Sequence, residues 1–329
     1  MTKPLKVLII EDDESHLELI RRSFDSLTTK FFLEFRSTLK SSLEYLQEQE
    51  PDIVLCDWNL PDGKGMDIFN NNADHNKFPI VMMTSQGNEE LAVEAMKSGA
   101  LDYIVKSPQA FADMPTFLRR GLREWQHILA RRHAESRLRQ TLMQTVESFS
   151  MMVEKRDPYT SGHQKKVGKL ACAIASEMNL DAEQIEGIYI ASNLHDIGKI
   201  SVPVEFLNKP GKLNDKEMDI IKLHPETAYD VLQAIDFQFP VATVILQHHE
   251  KMDGSGYPFG LTGEDILLEA RILTVADVVE AISAHRPYRP ALGIEVALQE
   301  IREHAGAFYD DNVVEICLKL FEDGFKFDI

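Results

Sequence analysis

Apolar residues in the first 120 positions follow two alternating patterns. Short runs, Val7–Ile10, Phe31–Phe35, Ile53–Leu55, Ile80–Met83 and Tyr103–Val105, have the length and β-branched content of strands covered on both faces. Between them apolar residues recur at helical spacing: Leu17, Ile20 and Phe24, then Leu39, Leu43 and Leu46, then Leu91, Ala95 and Met96. Strand then helix, five times over, predicts an α/β domain over residues 1–120. It would be a doubly wound, five-stranded parallel sheet with its functional residues at the carboxyl ends of the strands. Neither glycine nor proline occurs between Gly121 and Pro158, and Leu118, Leu122, Trp125 and Leu129 keep coiled-coil spacing. The seam meets Arg132 and Ser136 and resumes, shifted, at Leu138, Leu142 and Phe149, which predicts a connecting helix over 112–150 with a stutter. A homodimer stalk and a helix packed on its own domains are both consistent with this pattern. Residues 150–329 show helical periods and few strand-like runs, so the second domain is expected to be all-α. Turn signals fall at Lys209-Pro210-Gly211, Asp253–Gly256 and Arg286-Pro287.

Composition narrows the classes. The 329 residues carry 35 Lys and Arg against 53 Asp and Glu, a formal charge of −18, which excludes a general binder of polymeric nucleic acid. The run Leu5–Ile10 is too short, and too quickly followed by acid, for a signal peptide. No stretch approaches the roughly 18 apolar residues of a membrane helix, so a cytoplasmic protein with no membrane partner is expected. Cys56, Cys172 and Cys317 are far apart, which fits a reducing compartment and excludes a cysteine-rich metal site.

Candidate chemistry appears first at the strand ends. Glu11, Asp12 and Asp13 follow the first strand and Asp57 the third, so carboxylates converge and would repel without a divalent cation. Oxygen ligands of this kind suit Mg²⁺. Thr84 ends the fourth strand and Lys106 follows the fifth. The set describes an aspartate, Asp57, able to attack a phosphoryl donor while Mg²⁺ and Lys106 neutralise the transferred group.

The second domain holds a different set: His163, His195-Asp196, His224, His248-His249 and Asp277. Imidazole and carboxylate without thiolate suit Fe, Mn, Ni or Zn, with Fe or Mn preferred, and suit Ca²⁺ poorly. Several of these residues sit in apolar helical contexts, where unpaired polar groups are costly and a metal removes the cost. Seven ligands exceed the four to six that one cation takes, which implies two divalent metals sharing a bridging carboxylate. Such pairs, about 3.5 to 4 Å apart, are suited to attack on a phosphodiester.

Both halves resemble known families. Residues 5 to about 120 resemble a response-regulator receiver domain, with its flavodoxin-like fold, through Ile9–Glu14, Cys56–Gly63, Met83-Thr84-Ser85 and Tyr103–Lys106. The resemblance implies that Glu11 and Asp12 are the acidic pair and that Asp57 accepts a phosphoryl group from a cognate histidine kinase. It also implies that the carbonyl of Asn59 helps to hold Mg²⁺ and that Thr84 and Tyr103 rearrange. The usual Lys-Pro is here Lys106-Ser107-Pro108. From about 150 to 325 the chain resembles the HD-GYP family of the HD superfamily, through Arg156–His163, His195–Lys199, His224-Pro225, His248–Pro258, Ala276-Asp277 and Arg286–Arg289. That resemblance implies a metal-dependent hydrolase cleaving cyclic di-GMP to linear pGpG, and in some members on to GMP. One metal would take His163, His195, Asp196 and Asp277; the other would take His224, His248 and His249, with Asp196 bridging. Lys199 and Arg286 would contact substrate phosphate. The loop of Gly256, Tyr257 and Pro258 would lie beside substrate and meet diguanylate cyclase (GGDEF) proteins. Tyr159 stands where some members place a third-metal Glu, so a binuclear centre is expected. Glu280 replaces a usual Asp and bears on substrate geometry. Two rivals stay open: an HD hydrolase for another nucleotide, and a non-catalytic cyclic di-GMP sensor or interaction module.

Overall fold

In the computed structural model, each apolar run of the N-terminal half is a strand; the runs at Val7, Ile53 and Ile80 are covered on both faces, while those at Phe31 and Tyr103 lie at the sheet edges and are partly exposed. The structure describes residues 3–27, 30–70, 77–85, 89–156, 162–209, 211–284 and 291–327. It divides into two units, Met1–Arg137 and Leu138–Ile329. In the first, β1 (Leu5–Ile10), β2 (Phe31–Arg36), β3 (Ile53–Asp57), β4 (Ile80–Thr84) and β5 (Asp102–Val105) form one parallel sheet in the order β2-β1-β3-β4-β5. The two-residue period of a strand splits the runs of β1, β3 and β4 between two cores. Val7 and Ile9 join Ile20, Phe24 and Leu118 on one side, while Leu8 and Ile10 join Leu39, Ile68 and Phe78 on the other. The register pairs Ile10 with Cys56 and Asp57 with Met83, so the residues after β1, β3 and β4 reach one edge together.

Five helices flank the sheet: α1 (Glu14–Phe24), α2 (Leu39–Glu48), the short α3 (Asp67–Asn70), α4 (Glu89–Lys97) and α5 (Pro108–Ala112). Leu17, Ile20 and Phe24 are buried as their spacing predicts, but on α4 Ala95 faces the core while Met96 is 50% exposed. The displaced proline of Lys106-Ser107-Pro108 has a local cause. Ser107 caps α5, its side chain accepting from Ala110 N at 3.1 Å, and Pro108 takes the first helical turn, where its missing N–H costs nothing.

A 43-residue helix, α6 (Met114–Arg156), follows. Its first seam is not a free stalk, because Leu118 and Leu122 are buried in the first unit's own core. Residues 131–140 are exposed on every side. Further on, Val146 turns into the core of the second unit, whereas Leu138, Leu142, Phe149 and Met152 are exposed.

The second unit is helical: α7 (His163–Glu177), α8 (Ala182–Leu194), α9 (Val204–Leu207), α10 (Asp215–Ile221), α11 (His224–Leu232), α12 (Val241–Gln247), α13 (Leu268–Ser283), α14 (Ile294–Glu303) and α15 (Asp311–Glu322). α13 is central, packing against α7, α8, α12, α14 and α15 through buried residues that include Ile272, Val275, Ala276 and Val279. Asp181 with Gln184, and Asn214 with Glu217, form reciprocal caps that start α8 and α10. Among the described residues the only β pairing in this unit is two isolated bridges, Asp253 with Thr262 and Ala305 with Tyr309. No described helix is long and apolar enough to cross a membrane.

Candidate functional site

At the carboxyl edge of the sheet, oxygen atoms of Glu11, Asp12 and Asp57 lie within 4.8 Å of one another. Lys106 reaches in from the end of β5, with Nζ 2.7 Å from Glu11 Oε2 and 2.8 Å from Asp57 Oδ2. Burial raises the Asp57 carboxyl against the opposing pull of Lys106. Burial also works against the Lys106 charge, but its bonds to Asp57 and Glu11 outweigh this and raise its pKa. Three carboxylates around one ammonium leave negative charge in excess, and an all-oxygen donor set of this kind fits a hard divalent cation. Asp13 is not part of the cluster. It caps α1, accepting from Ser15 N at 2.8 Å and His16 N at 3.3 Å. Thr84 is buried at the end of β4, Asn59 opens a short ribbon after β3, and Tyr103 is 37% exposed on β5.

In the second unit five imidazoles converge from four helix ends. His163 opens α7, His224 opens α11, His195 ends α8, and His248 and His249 end α12; Asp277 comes from the middle of α13. Three overlapping groups each place a donor atom per residue within 4.8 Å: His224, His248 and His249; His163, His195 and Asp277; His195, Asp196 and His248. Hydrogen bonds fix the tautomers. His195 Nδ1 lies 2.7 Å from Ser192 O and His224 Nδ1 2.8 Å from Ile221 O, and His248 Nδ1 is bonded to Ile245 O. A carbonyl can only accept, so each Nδ1 carries the proton and each Nε2 turns a lone pair inward. His224 Nε2 and His248 Nε2 then face each other at 3.4 Å with no proton to share. Two buried lone pairs at that distance need a cation, so the residues fit the metals that the fold family implies.

The protonation states agree. Burial, reinforced by His249, lowers His224 to about 3, and burial lowers His249 to about 4. Asp196 is held well below the carboxylate range. Burial opposes its charge, but Lys199, His195 and His224 together outweigh it. Asp277 is likewise low, through His163 and His195 against the effect of burial. Neutral imidazoles beside ionised carboxylates are what divalent metals bind.

Two glycines admit the backbone that surrounds this centre. A Cβ on Gly198 would stand 1.9 Å from His224 O, so the turn carrying Lys199 can lie against the start of α11 only without a side chain. A Cβ on Gly256 would meet Glu250 Cα and Lys251 N at 2.5 Å, so the loop after the paired histidines folds back onto their turn. Tyr257 N donates to His249 O at 3.1 Å, and the two rings lie 4.7 Å apart. The Tyr257–Pro258 peptide is cis. Lys199 Nζ sits 2.7 Å from Asp196 Oδ1.

Sequence reasoning gave no role to Glu250. Glu250 is buried, and its two oxygens accept from Phe259 N at 2.7 Å and Leu261 N at 3.0 Å, tying down the loop that carries Tyr257. Bonds of this charge-assisted type are worth about 1.5–3 kcal/mol each. Only its place next to His249 could have drawn attention to it. Glu280 Oε2 lies 2.5 Å from His163 Nδ1, on the side away from Asp277, which meets Nε2 at 3.2 Å. The longer carboxylate therefore bears directly on a histidine of the centre, a contact that its reading as an influence on substrate geometry did not include. Arg286, expected on substrate phosphate, and Tyr159, at the position read for a third metal, lie outside the described residues.

Comparison with known proteins agrees with this division. A family model for the response regulator receiver domain matches residues 7–114, and one for the HD domain matches residues 147–313. The chain is 30% identical over 334 residues to the cyclic di-GMP phosphodiesterase response regulator RpfG of Xanthomonas campestris pv. campestris, covering 96% of this chain and 87% of that one. It is 30% identical over 338 residues to a cyclic di-GMP phosphodiesterase of Thermotoga maritima, covering 96% and 90%. Over 160 residues it is 39% identical to 3'3'-cGAMP-specific phosphodiesterase 3 of Vibrio cholerae, covering 48% and 35%. With an acidic corner at the sheet edge of one unit and a histidine-aspartate centre in the other, the chain belongs to the family of response regulators that join a receiver domain to an HD-GYP output domain.

Proposed function

We propose that this protein hydrolyses cyclic di-GMP to linear pGpG at the histidine-aspartate centre of its second unit, under control of phosphorylation at Asp57. The observation that carries the chemistry is the pair of opposed Nε2 lone pairs on His224 and His248 inside a cluster of seven metal-competent residues. The substrate is supported by end-to-end similarity to two proteins named for cyclic di-GMP. His163, His195, Asp196 and Asp277 would hold one divalent metal and His224, His248 and His249 the other, with Asp196 shared. Imidazole and carboxylate donors favour Fe or Mn, with Ni and Zn as alternatives, and Mg²⁺ suits the oxygen-only corner of the receiver. The metals supply Lewis-acid charge to the phosphodiester.

The chain's own residues do the rest. Lys199 rests on Asp196 and can turn its ammonium to a phosphate oxygen, a cation needed for an anion entering a molecule of charge −18. Burial keeps His224, His248 and His249 neutral, and His195, His224 and His248 point Nδ1 at backbone carbonyls, which leaves Nε2 turned inward. Gly256, Tyr257 and Pro258 pack against His249 and line one side of the centre. Water adds to phosphorus as the bond from phosphorus to one ribose 3′ oxygen breaks, the water's oxygen staying on the 5′ phosphate and its proton going to the 3′ oxygen as a hydroxyl; a second round on pGpG would give two GMP. Arg286 is assigned to the substrate phosphate by position.

In the receiver, Lys106 offsets charge as a histidine kinase passes its phosphoryl group to Asp57, and Thr84 and Tyr103 rearrange. Two features support wider partnerships in the cytoplasm. Exposed Leu138, Leu142, Phe149 and Met152 repeat at coiled-coil spacing and suit a second copy of α6. Phe259, 60% exposed beside Pro258, offers an anchor for a GGDEF protein. A second substrate reading, 3'3'-cGAMP, draws on 39% identity over 160 residues to an enzyme named for it, against 40% over 153 residues to one named for cyclic di-GMP. Assaying cyclic di-GMP, 3'3'-cGAMP and mononucleotides side by side tests both: cyclic di-GMP should give the highest kcat/KM, and preference for a mononucleotide would overturn the proposal.

A further inference from the structure

Arg156 opens the sequence string that ends at His163, yet none of the metal chemistry employs it. It has a defined position at the last turn of α6, where Nη1 donates to Ile200 O at 2.6 Å and Nη2 to Val202 O at 3.2 Å. Those carbonyls lie at the end of the 3-10 turn Ile197–Ser201, which carries Lys199 and directly follows Asp196. Carbonyls at the C-terminal end of such a turn lack helical partners and favour a cation. On the same turn of α6, Glu154 Oε1 accepts from Gly162 N at 3.1 Å, and Gly162 is the residue before His163.

We infer that Glu154 and Arg156 are positioning residues: one holds the segment that bears His163, the other holds the segment that bears Asp196 and Lys199, and together they fix how far apart those ligands stand. Both contacts are charge-assisted, and Arg156 uses the planar fork of a guanidinium to span two carbonyls two residues apart, which an ammonium cannot do. The inference rests on the phosphodiesterase reading for its kinetic consequences, but not for its effect on metal occupancy. It makes the last turn of α6 the place where that helix bears on the metal centre.

The test uses the full chain as Arg156→Ala, Arg156→Lys, Glu154→Gln and, as control, Arg139→Ala. The control loses a two-pronged pair with Glu186 made by the same helix. Arg156→Ala should lower kcat by about 10- to 100-fold and reduce metal per chain, with guanidinium ion in the buffer restoring part of the rate. Glu154→Gln should fall between it and wild type, and Arg139→Ala should stay within about twofold of wild type. If Arg156→Ala does not fold, Arg156→Lys decides the matter, since it keeps the charge but can reach one carbonyl only. Wild-type kcat and metal content in either Arg156 variant, or an equal loss in Arg139→Ala, would overturn the inference. A wild-type chain that binds two metals without turning over cyclic di-GMP would instead count against the proposed function, and the metal-content comparison would still decide this one.

Discussion

His163, His195, His224 and His248 each use their two nitrogens for different tasks, and this division predicts what single substitutions do. Asp196 meets Lys199, His195 and His224 at once, so Asp196→Ala should remove bound metal and turnover together; a variant that keeps both metals and the wild-type rate would refute the assignment. Glu280→Gln removes the carboxylate that orients His163 and should weaken metal retention about 10- to 100-fold, read by competition with a chelator; unchanged retention would contradict it. The ring pKa values also set a pH dependence. His224 at about 3 and His249 at about 4 lie below the roughly 6.5 of an unfolded histidine. The unfolded chain therefore binds more protons, and stability rises with pH between those limits. The metal-free protein should melt at falling temperature as pH is lowered from about 7 to about 5, with a slope of up to about 1.4 kcal/mol per pH unit for each such histidine; a flat profile would count against burial of neutral rings. The metal-competent residues were legible in the sequence because their types are rare in apolar helices. Glu250 and Glu280 were not, because a carboxylate shows nothing of its task until the backbone path brings it to Phe259 N or His163 Nδ1.

At the scale of elements, strands were easier to read than helix partners. A strand buried on both faces announces itself by an unbroken apolar run, as Ile53–Leu55 does. A helix shows only that it has an apolar face. Leu118 and Leu122 have coiled-coil spacing and yet serve the receiver's own core, while Leu138, Leu142, Phe149 and Met152 have the same spacing and remain exposed. Periodicity records the face and not its occupant. The exposed stripe yields its own prediction: replacing Leu138 and Leu142 with Glu should shift the protein from dimer to monomer in sedimentation. Sedimentation of the wild type as a monomer at micromolar concentration would dispose of the stripe as an interface. The loop after His249 is equally specific, for Gly256→Ala puts a methyl group 2.5 Å from backbone. Because the same methyl would stand 2.6 Å from His249 O, it should raise KM for the cyclic dinucleotide well above wild type and lower metal per chain, and an unchanged KM with full metal content would contradict the close packing of this loop.

For the whole molecule, two acidic centres share one chain, and one long helix has residues in both units. Phosphorylation of Asp57 should change the rate at the histidine centre, and Asp57→Ala should abolish the response to a small phosphodonor while leaving the basal rate. The same rate with and without verified phosphorylation would show that the receiver does not govern this output. The central claim is narrower: the seven-residue centre hydrolyses cyclic di-GMP. The most direct measurement is single-turnover product analysis on the purified full chain, with metal per chain quantified in the same sample. The account predicts linear pGpG from protein carrying two metals and none from Asp196→Ala. Intact cyclic di-GMP, bound but uncleaved by protein with both metals in place, would contradict it.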